Sequence, residues 1–188
     1  MTLVDGQAME QLPVDDRGLQ YGDGVFETMR AEGGRVALLD RHLARLATGC
    51  AALGFDPPPE VALCADVARL VAAERGRVVI KLIVTRGSGS RGYSGRAATA
   101  ARRIAVTHPF PEWPTANWHA GVRIRTCATR LAIGGPLAGL KHLGRCEQVL
   151  ARSEWEGDDP AEGLMLDAEG SVVSADRKST RLNSSHRL

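Results

Sequence analysis

Two amphipathic helical segments stand next to each other in the first half of the chain, and short β-strand patterns lie on both sides of them. In the first segment apolar residues recur every three or four positions, as on a helix with one buried face: they are Leu43, Leu46, Ala47, Cys50 and Leu53. Asp40 is the predicted N-cap of this helix. The second segment runs from about Val61 to Glu74. Strands gathered around two early helices predict an α+β fold.

The strand patterns begin with two candidate hairpins. One turns at Asp5-Gly6 and the other at Glu32-Gly33-Gly34. Further strand patterns and one later helix are predicted at Arg77–Val84, Arg103–Thr107, Val122–Thr126, Gly163–Leu166 and Gly170–Ala175, with the helix at about Arg145–Trp155. The glycine-rich stretch Thr85–Tyr93 is predicted to be a loop.

A chain of 188 residues is long enough for one domain, with two as a possibility. Prolines at 111 and 114 interrupt the periodicity between Pro109 and Ala120. We therefore predict a first domain over residues 1–110 and the beginning of a second over residues 111–175.

The last stretch, from Asp176 to Leu188, is polar and has no periodicity. Its letters DRKSTRLNSSH resemble the translation of a common sequencing-library adapter. We expect residues 176–188 to be a non-native tail that is not part of the fold. The net charge of +2 comes from this tail, because residues 1–175 hold 20 basic and 21 acidic side chains.

Several classes of protein are not favoured by the composition. The start of the chain has no basic segment followed by an apolar stretch, and no run reaches the roughly 18 apolar residues of a membrane span. The four cysteines form no C-x-x-C pair, so we predict no metal site. We expect a cytoplasmic protein that binds neither membranes nor nucleic acid.

Lysine is scarce, which narrows the choice of an amine nucleophile. Residues 1–175 contain two lysines, Lys81 and Lys141, against eighteen arginines. Arginine stays protonated and cannot supply an amine nucleophile. Lys81 lies in an apolar strand run and is interpreted as an edge or inward-pointing strand lysine. Lys141 lies between a glycine-rich approach and the start of a helix, where a lysine can be a nucleophile; the alternative is a surface lysine.

Four motifs, in order and spacing, resemble the class IV aminotransferase family of pyridoxal-phosphate enzymes, and within it the aminodeoxychorismate lyases. They are DRGLQYGDGVFET at 16–28, DRHLARL at 40–46, RGSGSRGY at 86–93 and GLKHL at 139–143. The resemblance covers essentially all of residues 1–175. It implies a two-domain fold of fold-type IV, with a complete N-terminal α/β sandwich domain and a partly present, β-barrel-like C-terminal domain.

The resemblance also implies roles for individual residues. Lys141 matches the lysine that holds pyridoxal 5'-phosphate covalently and then acts as general acid and base. Arg45 matches the phosphate-binding arginine; its alternative role is a solvated helix arginine paired with an acid. Arg91, with Arg86 and Tyr93 in the same loop, would bind a substrate carboxylate. Asp23, Glu27 and His42 belong to the motifs and are expected to have turn-forming or scaffold roles.

One cofactor contact departs from the family pattern. The family commonly has an acidic residue facing the pyridine nitrogen, two or three positions after the kind of turn to which Gly170 belongs. Ser174 stands in that place here. A serine is a weaker stabiliser of charge on the ring.

The implied reaction converts 4-amino-4-deoxychorismate to pyruvate and 4-aminobenzoate, a folate precursor, in a homodimer when the protein is full length. The chain as written is expected to be an inactive fragment. One alternative is a class IV transaminase for branched-chain or D-amino acids. The other is a non-enzymatic binding module with a basic surface made by Arg102, Arg103, Arg123, Arg125 and Arg130.

Overall fold

A computed structural model describes residues 1–157 and 162–176 of the chain. These residues divide into two compact units. The first comprises Met1–Pro111 together with Leu140–Gly144, and the second comprises Glu112–Gly139 and the described residues from Arg145 onward. Of the predicted tail, residues 177–188 lie outside the described part. Asp176 is described, and its carboxylate accepts a hydrogen bond of 2.9 Å from the backbone N–H of Gly163.

The first unit is an antiparallel sheet with two helices on one face. Its elements are β1 (Thr2–Val4), β2 (Gln7–Ala8), α1 (Arg17–Tyr21), β3 (Gly24–Glu32), β4 (Arg35–Val36), α2 (Leu39–Ala52), α3 (Glu60–Ala72), β5 (Val78–Thr85) and β6 (Arg102–Pro109). The strand order is β2-β1-β6-β5-β3-β4, and every neighbouring pair is antiparallel. The α+β prediction is confirmed.

Every second side chain of β3 and β5 points towards the two helices. Val25, Met29 and Ala31 of β3 are buried, as are Ile80 and Leu82 of β5. They pack with buried residues of α2 and α3, namely Leu43, Leu46, Cys50, Leu63, Val67, Leu70 and Val71. Because successive strand residues point to opposite faces, the side chains between them lie on the face away from the helices.

The second unit has a smaller core. Its elements are α4 (Ala116–Ala120), β7 (Ile124–Leu131), α5 (Cys146–Arg152), β8 (Glu162–Asp167) and β9 (Val172–Ala175), with β8 parallel to β7 and antiparallel to β9. The buried cluster consists of Cys127, Leu131, Ala151 and Met165. Among the described residues, no helix has the length and apolar character that crossing a membrane requires.

Three details of the elements differ from the sequence prediction. The α2 N-cap is Leu38, in the left-handed conformation, and not Asp40. Asp40 lies in the first turn, where its negative charge interacts favourably with the positive end of the helix dipole. Strand β7 reaches Leu131, five residues beyond the predicted end. The five-residue helices α1 and α4 were not predicted, because one turn is too short to show periodicity.

Candidate active site

Lys141 lies on a short segment that runs along the edge of β3. The backbone N–H of Phe26 donates to the carbonyl of Lys141 at 3.0 Å, and the N–H of Leu143 donates to the carbonyl of Gly24 at 2.9 Å. Between them, Val25 and His142 form an antiparallel bridge. The lysine is therefore fixed through its own backbone, in spite of the glycine-rich approach that precedes it.

The amine of Lys141 is partly buried against an aromatic ring. Its Nζ lies 4.3 Å from the centroid of the Phe26 ring, within the range of a cation–π contact. Phe26 points away from the helix face, since Val25 and Glu27 on either side of it are buried in the core layer. The amine thus lies on the face of the sheet away from the helices.

Lys81 approaches the same ring. It stands on β5 directly opposite Thr28, and its Nζ is 5.2 Å from the centroid of Phe26. Strand β5 lies between β6 and β3, so the prediction of an edge lysine is wrong. Lys81 is half-buried and alternates with the core residues Ile80 and Leu82, so its side chain does not point into the core between the sheet and the helices either. The two lysines of residues 1–175 thus share one aromatic neighbour.

Arg45 is held by a buried carboxylate. Its Nε and Nη2 donate to Glu27 Oε1 and Oε2 at 2.6 and 2.5 Å, and His42 Nδ1 lies 2.7 Å from Oε2. The hydrogen bond with Glu27 raises the pKa of Arg45. The Glu27 side chain is 1% exposed whereas that of Arg45 is 55% exposed. Among the described residues, the remaining Nη1 of Arg45 donates no hydrogen bond, so it can meet an anion.

The side chains of the loop after β5 divide into two groups. Arg86 donates to Asp23 at 2.7 Å and to the carbonyls of Gly54 and Leu53 at 2.9 and 2.6 Å. These contacts use all three nitrogens of its guanidinium, and they favour an anchoring role for Arg86 over the predicted substrate contact. Arg91 and Tyr93 are exposed, Tyr93 at 90%.

Ser174 belongs to the second unit. It is paired with Met165 across β8 and β9, and its Oγ donates to the carbonyl of Ala175 at 3.2 Å. The predicted contact of Ser174 with a cofactor stays a prediction.

Arg17 and Phe26 are site residues that the sequence reasoning did not single out. For Glu27, by contrast, the sequence does indicate burial. It alternates with Val25 and Met29, so it lies on the buried face of the strand. A buried carboxylate needs a cationic or hydrogen-bonding partner.

Most arginines of the alternative basic surface are bound to acids or carbonyls. Arg102 pairs with Asp5 and Asp16, and Arg103 with Asp66. Arg125 Nη2 lies 3.5 Å from Glu154, and Arg130 Nη1 donates to the carbonyl of Cys127 at 3.1 Å. These pairings count against a nucleic-acid surface.

Comparison with known proteins gives the family. The family model described as amino-transferase class IV matches residues 24–180. The chain belongs to the class IV aminotransferase family.

Two relatives in this family are lyases. The aminodeoxychorismate lyase of Vibrio harveyi is 32% identical over 173 residues, which are 92% of this chain and 64% of the relative. The crystal structure of 4-amino-4-deoxychorismate lyase from Pseudomonas aeruginosa superposes with a TM-score of 0.87 at 48% identity, over 94% of this chain and 65% of that one. This member of the family therefore spans just under two thirds of the length of these relatives.

A more distant member shares the fold. A hypothetical aminotransferase from Mycobacterium tuberculosis, solved in a PLP-bound form, is 22% identical with a TM-score of 0.73, over 94% of this chain and 66% of that one. At this identity the likeness shows the fold, which is that of the class IV aminotransferases.

Proposed function

We propose that this chain is part of a 4-amino-4-deoxychorismate lyase that uses pyridoxal 5'-phosphate to release pyruvate and form 4-aminobenzoate. The observation that carries the proposal is the position of Lys141, an amine held on a strand edge against Phe26. The similarity to two lyases supports this reaction over the others of the family.

The chemistry of two residues suits pyridoxal phosphate. Lys141 supplies a partly buried amine, and Arg45 supplies a half-exposed guanidinium whose orientation is fixed by Glu27. Lys141 would hold the cofactor covalently and Arg45 would bind its phosphate. When bound, the cofactor supplies an electron sink.

The chain's own groups account for the movement of protons. Lys141 Nζ is the general base for the proton on the carbon that bears the substrate amine, and it can return a proton to the departing enolpyruvate. The carbon–oxygen bond of the enolpyruvyl ether breaks, pyruvate leaves and the ring becomes aromatic. Arg91 would bind a substrate carboxylate, for which its guanidinium is suited, and Tyr93 follows it two residues later in the same loop.

The proposal includes a homodimer and a place in the synthesis of folate precursors. Support for the homodimer comes from large apolar side chains that the first unit leaves exposed, among them Val14 at 81% and Leu19 at 63%. A second copy of the protein would cover such side chains.

Reductive trapping tests the assignment of Lys141. The protein from the complete gene is incubated with pyridoxal phosphate, reduced with borohydride and digested for mass spectrometry. We expect the adduct on Lys141, its loss in Lys141→Arg, and its retention in the matched control Lys81→Arg. An adduct on Lys81, or none, would contradict the assignment.

An activity assay on the same protein distinguishes the lyase reaction from amine transfer. Release of pyruvate and 4-aminobenzoate from 4-amino-4-deoxychorismate is the expected result. Amine transfer that depends on a keto acid, without that release, would favour a transaminase for branched-chain or D-amino acids.

A further inference from the structure

Arg17 is a buried arginine whose guanidinium is directed at the tip of the loop after β5. Its side chain is 3% exposed. Nη1 donates to the carbonyl of Gly92 and Nη2 to the carbonyl of Tyr93, each at 3.0 Å. The third nitrogen, Nε, donates to Asp23 Oδ2 at 2.9 Å. One side chain from α1 thus binds two consecutive carbonyls that lie 75 and 76 residues further along the chain.

Asp23 balances the charge of this arginine and connects it to the base of the loop. The same Oδ2 atom accepts from Arg86 Nε at 2.7 Å. Burial would raise the pKa of Asp23, but the hydrogen bonds from Arg86 and Arg17 outweigh burial and lower it. A charged acceptor strengthens hydrogen bonds from both guanidinium groups.

Aromatic contacts hold the same tip. The backbone N–H of Gly92 donates to the hydroxyl of Tyr21 at 3.1 Å, and the rings of Tyr21 and Tyr93 meet edge to face at 5.6 Å. Arg17 lies over the Tyr21 ring, 4.8 Å from its centroid. The backbone of the tip is therefore held through both its N–H and its carbonyl groups.

The loop also packs directly on the aliphatic part of Arg17. A Cβ atom at Gly89 would come within 2.9 Å of Arg17 Cδ, which explains why a glycine stands there. The N–H of Arg17 donates to the carbonyl of Gly87 at 2.8 Å, and the N–H of Gly89 donates to the carbonyl of Asp15 at 3.2 Å.

At the loop tip the backbone is fixed by hydrogen bonds, whereas two side chains are exposed. Arg17 is too buried to meet a substrate, whereas the side chains of Arg91 and Tyr93 are exposed. Arg91 immediately precedes the two residues whose carbonyls Arg17 binds. The position of its guanidinium therefore depends on how firmly that backbone is held.

We propose that Arg17 is a positioning residue that fixes the loop tip and thereby sets where Arg91 and Tyr93 meet the carboxylate of the substrate. The proposal rests on the proposed lyase function, because that function assigns the two side chains to substrate binding. Loss of the hydrogen bonds from Arg17 to the loop tip weakens substrate binding more than it slows the chemical step, since Lys141 is fixed separately on the edge of β3.

The test uses Arg17→Met and Arg17→Lys in the protein from the complete gene. The matched control is Arg103→Met, which breaks the partly buried pair between Arg103 Nε and Asp66 at 2.5 Å without touching the loop. We expect Arg17→Met to raise KM for 4-amino-4-deoxychorismate by about 10-fold or more, as for a misplaced charged hydrogen bond, with kcat within about 3-fold. Arg17→Lys keeps the charge but not the fork of donors, so an intermediate KM is expected. Arg103→Met leaves KM unchanged.

A double-variant cycle and hydrogen exchange separate positioning from general destabilisation. If Arg17 acts through Arg91, Arg17→Met adds little to the KM of an Arg91→Ala variant. Hydrogen exchange at the Gly92 amide is expected to be faster in Arg17→Met and unchanged in Arg103→Met. Additive effects on KM, or an unchanged KM in Arg17→Met, would overturn the proposal.

Failure of the underlying function has a different signature. If the wild-type protein releases no pyruvate, or Arg91→Ala leaves KM unchanged, the lyase or the role of the loop is refuted. The exchange measurement then still decides whether Arg17 holds the tip, and unchanged exchange would refute that hold as well.

Discussion

At the scale of single residues, the site depends on carboxylates that each serve two cationic or hydrogen-bonding partners. Glu27 holds Arg45 and contacts His42, and Asp23 holds Arg17 and Arg86. A carboxylate removed from water needs such partners, and the partners in turn lose their orientation when it is removed. The charges of this chain therefore position side chains and loops as well as stabilise the fold.

The pKa of Asp23 predicts a pH dependence. Because its pKa is lowered from 3.8 in the folded protein, the stability that Asp23 contributes is present above about pH 3.8 and is lost as the pH falls through the lower folded pKa. We expect Asp23→Asn to lower the free energy of unfolding by about 3 kcal/mol at pH 7, as when one partner of a buried pair is removed. The difference from wild type should shrink below pH 3.8.

Urea unfolding followed by circular dichroism, at a series of pH values, measures this difference. The control is Asp56→Asn, at an exposed aspartate. A gap between Asp23→Asn and wild type that stays constant at low pH would contradict the role of the ionised carboxylate.

At the scale of elements, apolar alternation and helical periodicity account for most of the fold. The alternating pattern of β3 predicts which of its side chains are buried. The apolar positions of α2 include its buried residues Leu43, Leu46 and Cys50. Helix ends were less predictable, because a cap depends on the backbone conformation of a single residue and not on a repeating pattern of apolar residues. The α2 N-cap, Leu38, has φ 55° and ψ 36° and makes no side-chain capping bond.

This strained cap offers a stabilising substitution. A leucine in the left-handed region is disfavoured by roughly 1 kcal/mol relative to glycine, since its Cβ crowds the backbone. Leu38 is 59% exposed, so removing its side chain sacrifices little burial. We expect Leu38→Gly to raise the free energy of unfolding by about 1 kcal/mol, measured by thermal denaturation. Leu38→Ala removes the side chain beyond Cβ and keeps the strain that Cβ causes, so an equal gain in that control would contradict the explanation.

At the scale of the whole molecule, the two units differ in how much core each one has. Among the described residues, the main buried cluster of the first unit has sixteen members and that of the second has four. Stability rises with buried apolar area. The second unit is therefore expected to unfold first.

Tryptophan fluorescence can follow the second unit alone. All three tryptophans, Trp113, Trp118 and Trp155, belong to it. Trp118 is 78% exposed, whereas Trp155 packs on the small buried cluster, so Trp155 should dominate the change in emission. In urea we expect the fluorescence transition at a lower concentration than the transition in circular dichroism.

The variant Trp155→Phe is the control for the source of the signal, and it should remove most of the fluorescence change. Coincident transitions for the two probes in the unsubstituted chain would show a single cooperative unit and contradict the prediction.

The sequence by itself determined the α+β class, the types of the longer elements and the family, because periodicity and motifs are local. It also narrowed the reactive amine to two lysines. Only the tertiary structure separated Arg86 from Arg91, two arginines of one glycine-rich loop. Arg86 is enclosed by Asp23 and two carbonyls, and Arg91 is exposed. Burial and pairing depend on contacts between residues far apart in the chain, such as Arg17 with Tyr93, and no local pattern records them.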